Sequence, residues 1–178
     1  MIRRTSVRLA AIVTAVLTFF LLSAKDPARA ASDLMPAEGE VILTVSGEIG
    51  ATNYGEKAAF DIAMLRALGE VEFATSTIWT EGEQTFLGVS LKTLLETIGV
   101  EDGTLKASAI NDYSVEIPVA DAVEGGPIIA YMRNGKEMSV RDKGPLWIVY
   151  PYDQNPDYKS EQIYSRSIWQ LDRIEVLN

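Results

Sequence analysis

The chain has 178 residues, 47% hydrophobic and 23% charged, with a formal net charge of −9 and neither cysteine nor histidine. Length and composition are those of one globular domain. The two missing residue types exclude a disulfide, a thiolate nucleophile, a Cys/His zinc site, a His-dependent triad and a His-ligated haem, so any general acid or base must be a carboxylate, tyrosine or lysine.

The first thirty residues read as an address. Arg3, Arg4 and Arg8 form a basic head, Leu9 to Ala24 is uncharged and apolar, and Ala28-Arg29-Ala30 has the small-residue form of a cleavage site. This is the three-part plan of a bacterial secretory signal. Its apolar stretch is shorter than the ~20 residues that span a bilayer comfortably; an uncleaved anchor is the alternative. The expectation is a leader over 1–30, a single domain over 31–178, and a periplasmic location. Cleavage after Ala30 removes five bases and one acid, leaving 11 bases, 24 acids and a net charge of −13. So acidic a body repels phosphate backbones, and nucleic acid is not an expected partner.

In the mature chain, Val41 to Ile49 alternates apolar and polar residues and predicts a strand. Ala51 to Gly55 is a turn. Lys57 to Leu68 places Phe60, Met64, Ala67 and Leu68 on one helical face, with Gly69 as a stop. Glu70 to Trp79 is rich in β-formers. Ser90 is a candidate cap for a short helix with Leu91, Leu94, Leu95 and Ile98 at helical spacing. Strands are predicted at Leu105 to Ile110, Tyr113 to Ile117 and Ile128 to Arg133. Asn134-Gly135 signals a type I′ hairpin with a return over Lys136 to Arg141. Leu146 to Tyr150 reads as a buried strand, Asp153 to Lys159 as a polar loop, and Ile168 to Val176 as the closing strand. About eight strands and two or three helices amount to a β-rich α+β domain with a mixed, barrel-like sheet.

Four places carry residues suited to a ligand. Thr75, Thr77 and Trp79 end a strand in a polar aromatic turn; hydroxyls two apart share a strand face. Asn111-Asp112-Tyr113 is a polar corner, either a simple Asx-type turn or a carboxylate and phenol gripping a planar ligand. Arg141 to Pro151 runs from a basic, Gly-containing turn that holds Lys143 into a buried strand. The late run Tyr158 to Trp169 holds Tyr158, Tyr164, Arg166 and Trp169. No acid pair stands at a glycosidase spacing, and Gly125-Gly126-Pro127 is a turn, not a nucleotide loop.

Taken in order, these segments resemble the oxidoreductase molybdopterin-binding domain, the fold of sulfite oxidase, from about Val41 to Val176. The resemblance rests on the Trp-containing strand Thr75 to Thr80 and on Phe86-Leu87-Gly88-Val89-Ser90-Leu91 followed by Leu94-Leu95. It continues through Asn111-Asp112-Tyr113, where the family usually has Asp-Gly-Tyr, and Pro118, then Ala130-Tyr131 with Asn134-Gly135. Gly144-Pro145 leading into Val149-Tyr150-Pro151, and Trp169 before the last strand, complete it. Catalytic members hold molybdenum through a cysteine four residues before the Trp; that position here is Thr75. The family's phosphate-binding Arg, two residues after a Gly-x-Pro or Gly-Pro turn, has no counterpart; Trp147 lies in that neighbourhood. A protonated hydroxyl does not replace a thiolate on a soft-ligated metal.

With those two replacements, the chain is similar to the small periplasmic branch of the family that includes metal-free pterin-binding sensors. That resemblance implies no metal and a tetrahydropterin-type ligand. It also implies an inner-membrane partner with a periplasmic domain, such as a cyclic di-GMP enzyme or a histidine kinase. The implied ligand-binding residues are Thr75, Thr77, Trp79, Asn111, Asp112, Tyr113, Arg133, Lys143 and Trp169. Trp79, Tyr113 or Trp169 would stack on the ring, Asp112 would accept from its amino-pyrimidinone edge, and Arg133, Lys143 or Thr77 would hold its hydroxylated side chain. The alternative is a molybdopterin-dependent oxidoreductase with atypical metal ligation.

Overall fold

The computed structural model describes residues 34–178, so the expected leader lies outside the described residues. The described residues form one mixed, curled sheet with three short α-helices, the β-rich α+β arrangement expected. Ten strands are present among the described residues. β1 (Leu43–Gly47) pairs antiparallel with β2 (Ala58–Phe60) and parallel with β10 (Trp169–Leu177). β3 (Glu70–Ser76) pairs with β4 (Glu83–Ser90), and β4 with β7 (Ile128–Arg133). β7 also pairs with β9 (Leu146–Val149), and β9 with β10. The other edge of β10 takes β5 (Thr104–Ala109), which pairs in turn with β6 (Ser114–Pro118). The last strand therefore joins both arms of the sheet.

The helices are α1 (Ile62–Ala67), α2 (Leu91–Thr97) and α3 (Glu161–Arg166). α2 buries Leu91, Leu94 and Leu95, as its spacing predicts; each such side chain contributes about 1.5–3 kcal/mol relative to exposure. The side chain of Ser90 makes no capping bond, however. Its residue remains the last of β4, which holds the backbone extended.

Three other expectations are corrected. The helix over Lys57 to Leu68 starts late, because Ala58, Ala59 and Phe60 are all buried and pair along β1. Asp61 then caps α1: one carboxylate oxygen accepts from Met64 N at 2.8 Å, the other from Gly39 N at 2.7 Å and Glu38 N at 3.0 Å. These amides, Met64 first and Gly39 next, hold the Asp61 pKa below its ordinary value. The strand returning from Asn134-Gly135 is only β8 (Lys136–Glu137). Met138 then turns into the core, and a single 3₁₀ turn (Val140–Asp142) swings Asp142 back to Arg133, with N–O distances of 2.7 and 2.8 Å. The hairpin itself is as expected, with φ of 51° at Asn134 and 71° at Gly135. Finally, α3 stands within Tyr158 to Trp169, a run that the sequence marks only by its aromatic candidates; Ser160 caps it by accepting from Ile163 N.

One glycine is required by contact. At Gly88 the β4–β7 register shifts, and a Cβ would collide with the backbone of Ile129 and Ala130.

Candidate functional site

A cleft of about 400 Å³ opens where three distant segments meet. The turn after β3 supplies Trp79. The β5–β6 corner supplies Ala109, Asn111 and Tyr113. The end of α3 and the start of β10 supply Tyr164, Ser165, Ser167, Ile168, Trp169 and Gln170. No lining side chain carries a formal charge. The size and mixture, mostly apolar with a few polar groups, suit a small planar ligand.

Each wall has a local cause. Thr77 Oγ1 accepts from Trp79 N at 3.1 Å and lies 2.7 Å from Thr80 Oγ1, a hydroxyl turn that fixes the backbone under the indole. Trp79 then meets Trp147, Tyr152, Tyr164 and Trp169 with centroids 5.5–6.4 Å apart and planes inclined at 63–85°, all edge-to-face geometries. Asp112 turns the corner at φ 66°, and Asn111 Oδ1 accepts from Tyr113 N. In β10, the register against β9 shifts at Gln170, whose φ is +55°, and the register against β5 shifts next at Asp172. Left-handed geometry at a non-glycine residue is uncommon, and bulges of this kind re-aim neighbouring side chains beside functional sites. Here the bulge sets Trp169 on the cleft wall.

Behind these walls lies a bonded floor. Trp147 Nε1 donates to Ser167 O at 3.2 Å, Tyr152 OH to Ser167 Oγ at 2.6 Å, and Ser167 Oγ to Ile163 O at 2.9 Å. Tyr150 OH donates to Asp121 Oδ2 at 2.7 Å, and the same carboxylate holds Arg166 at 2.8 Å. Burial first, then Asp121, pushes the Tyr150 phenol far above its usual range. Burial does the same to Tyr152, against the opposing bond to Ser167. α3 is thereby anchored to the core at both Arg166 and Ser167.

The residues predicted from sequence divide. Trp79, Asn111, Tyr113 and Trp169 are brought together on the cleft. Lys143 lies beside it, its ammonium 4.3 Å from the Trp169 ring centroid and 5.5 Å from that of Trp147, with no carboxylate in ion-pair range among the described residues. Thr77 is in the turn below Trp79 rather than on the lining. Thr75 is fully buried; its hydroxyl accepts from Asp153 N at 3.1 Å. Asp153 reciprocates by accepting from Ser76 N at 2.5 Å and pairing with Lys159 at 2.7 Å, so Thr75 belongs to a clamp between β3 and the Tyr152 segment. Asp112 points away to Arg173, and Arg133 is bound by Asp142; neither lines the cleft. Sequence reasoning missed Gln170 and Ser167. Gln170 carries no local signal, because its role comes from a bulge, and Ser167 follows Ser165 and Arg166 with nothing local to single it out.

A curled β-rich domain with a neutral aromatic cleft where its last strand enters the sheet defines the class. A family model, the oxidoreductase molybdopterin binding domain, matches residues 57–154, more than half of the chain. The protein belongs to that family. None of the curated proteins matches the chain. The matched segment stops short of α3 and β10, so much of the cleft lies beyond it.

The side chains do not fit a metal-bearing molybdopterin. The Thr75 hydroxyl, at the position that the resemblance equates with the family's cysteine, is hard, protonated and already engaged with Asp153. Trp147, near where the resemblance places the family's phosphate-binding Arg, is fully buried. Arg133, Arg166 and Arg173 are each held by a carboxylate. Among the described residues no group of three or more Asp or Glu is placed to hold a metal ion.

Proposed function

We propose that this protein is a non-catalytic periplasmic binding protein for a reduced, unconjugated pterin, and that it relays ligand binding to an inner-membrane signalling protein. The observation that carries this reading is the cleft itself: indole and phenol rings with neutral amide and hydroxyl groups, and no charged lining. A pterin is flat and aromatic, with a hydrogen-bonding edge that suits amides and a stacking face that suits Trp79, Tyr113 or Trp169. An unconjugated pterin lacks phosphate, so the acidic body is no obstacle to it. The buried, bonded hydroxyl of Thr75 argues for a binding role over a redox one.

The relay rests on the resemblance to periplasmic sensors and on the leader pattern of residues 1–30. A cyclic di-GMP enzyme or a histidine kinase with a periplasmic domain is the expected partner. Ile78, Ile110 and Tyr113 are exposed apolar residues on the segments that frame the cleft, and they offer such a partner a surface that adjoins the ligand.

The second reading, a molybdopterin-dependent oxidoreductase with atypical ligation, is favoured by the family match. Purification from the native periplasm, with mass analysis of released small molecules, fluorescence after oxidation and elemental analysis, separates the two. A released pterin without molybdenum is expected. Stoichiometric molybdenum would overturn the proposal in favour of the second reading. Protein that releases nothing and fails to bind added tetrahydrobiopterin would leave only an interaction module.

A further inference from the structure

Two neutral amides stand side by side on the cleft wall with complementary atoms unused. Gln170 Nε2 donates to Val140 O at 2.7 Å. The carbonyl of Val140 accepts only, so this bond fixes which way the Gln170 amide is turned and leaves Oε1 as its second atom. Oε1 has no partner among the described residues. At Asn111 the roles are reversed: Oδ1 accepts from Tyr113 N at 3.2 Å, and Nδ2 has no partner among the described residues. The two residues are held next to each other, because Ile110 N donates to Gln170 O at 3.0 Å. Gln170 N also donates to Lys143 O at 3.1 Å, so its backbone is tied on both sides despite the left-handed φ.

We infer that Gln170 and Asn111 read the lactam edge of the bound ring, Gln170 Oε1 accepting from the ring N–H and Asn111 Nδ2 donating to the adjacent ring carbonyl. This rests on the pterin reading and gives it a selectivity that aromatic stacking alone lacks. The exposed Asp112 carboxylate, engaged with Arg173, is not needed. A ring with the pattern inverted, a bare ring nitrogen beside an amino group, would place an acceptor against Oε1. The amide of Gln170 cannot turn over to meet it without setting Oε1 against the Val140 carbonyl.

Tetrahydrobiopterin and 4-amino-tetrahydrobiopterin differ only in this edge. Their affinities for the mature protein are to be compared by anaerobic calorimetry at pH 8, which keeps the 4-amino ring neutral. The wild type should prefer tetrahydrobiopterin by about tenfold or more, the consequence of one or two mispaired hydrogen bonds. Gln170→Leu should bring the ratio close to one. Gln170→Glu, which keeps an acceptor but cannot donate to Val140, should shrink the ratio or reverse it, because a carboxylate attracts the basic diamino ring. The ratio separates reading from architecture: if Gln170 only holds the bulge, its variants weaken both ligands alike and leave the ratio unchanged. A variant with that result, or equal affinities in the wild type, would overturn the inference and leave the pterin reading standing. Failure of the wild type to bind tetrahydrobiopterin would remove the pterin reading and this inference with it.

Discussion

The floor and the mouth of the cleft use the same residue types for different ends. On the floor, Trp147, Tyr150 and Tyr152 are fully or almost fully buried, and each polar atom has a partner: Ser167 O, Asp121 and Ser167 Oγ respectively. At the mouth, Trp79 and Trp169 are half-buried and Tyr113 is 58% exposed, and their indole N–H and phenol groups have no partner among the described residues. Burial of an amphipathic ring demands a partner for its polar tip. Where the fold itself supplies that partner, the ring is architecture. Where it does not, the ring is available to something else. The contrast assigns roles that residue type alone leaves equal.

The comparison can be broken by substitution, and the floor should respond most. Trp147→Ala is expected to lower stability by about 3–5 kcal/mol, the range for removing a buried aromatic ring, with urea unfolding as the measurement. A loss below about 1 kcal/mol would mean the floor is not load-sharing core. Trp79→Ala should weaken tetrahydrobiopterin binding by about 1–3 kcal/mol, by the scale of base–aromatic stacking, while the fold survives in circular dichroism. Unchanged affinity would move Trp79 from the mouth to the floor. Tyr150→Phe keeps the ring and the Asp121–Arg166 pair but removes one hydrogen bond; about 1 kcal/mol of stability should go, with pterin affinity unaffected.

A pH series sharpens the boundary between the two regions at the Thr75 clamp. Asp153 is held well below the usual carboxylate range, chiefly by Lys159 and next by the Ser76 amide. A carboxylate depressed in the folded state contributes stability above its unfolded pKa, about 3.9, and loses it as pH falls toward the folded value. The stability gap between wild type and Asp153→Asn should therefore be constant at neutral pH and close progressively below about pH 4. A gap that persists to pH 2 would show that the substitution acts through packing. The smallest effect is expected at Asp112→Asn. Sequence reasoning made this carboxylate the ring-edge acceptor, but its exposed pairing with Arg173 predicts a stability change of about 0–1 kcal/mol. On the cleft geometry its pterin affinity should hold within about twofold, well under 1 kcal/mol; a larger loss would return Asp112 to the site.

Much of the fold was legible because its signals are local. The alternation of Leu43 to Gly47, the apolar run Leu146 to Val149, the Asn134-Gly135 turn and the leucines of α2 each announce themselves within one element. Lys57 to Phe60 did not, since its apolar spacing fits a helix and only pairing with β1 makes it a strand. Of the nine residues expected at a site, Trp79, Asn111, Tyr113 and Trp169 converge on the cleft. Arg133 and Asp112 could not be placed from sequence, because the partners that occupy them, Asp142 and Arg173, are 9 and 61 residues away.

By itself, then, the sequence determined what chemistry this protein lacks. Without cysteine or histidine it has neither thiolate nor imidazole to offer a metal, and by the resemblance Thr75 stands where the family's catalytic members have their thiolate. Composition and local pattern settle such matters because an absent side chain is absent in every fold. Only the tertiary structure decided which of the remaining polar atoms are spent. Thr75 is consumed by Asp153 and Asp112 by Arg173, while Gln170, silent in the sequence, is turned onto the cleft wall by a bulge in the pairing of β10 with β9. Hydrogen-bond satisfaction is a property of neighbours in space, and those neighbours come from opposite ends of the chain.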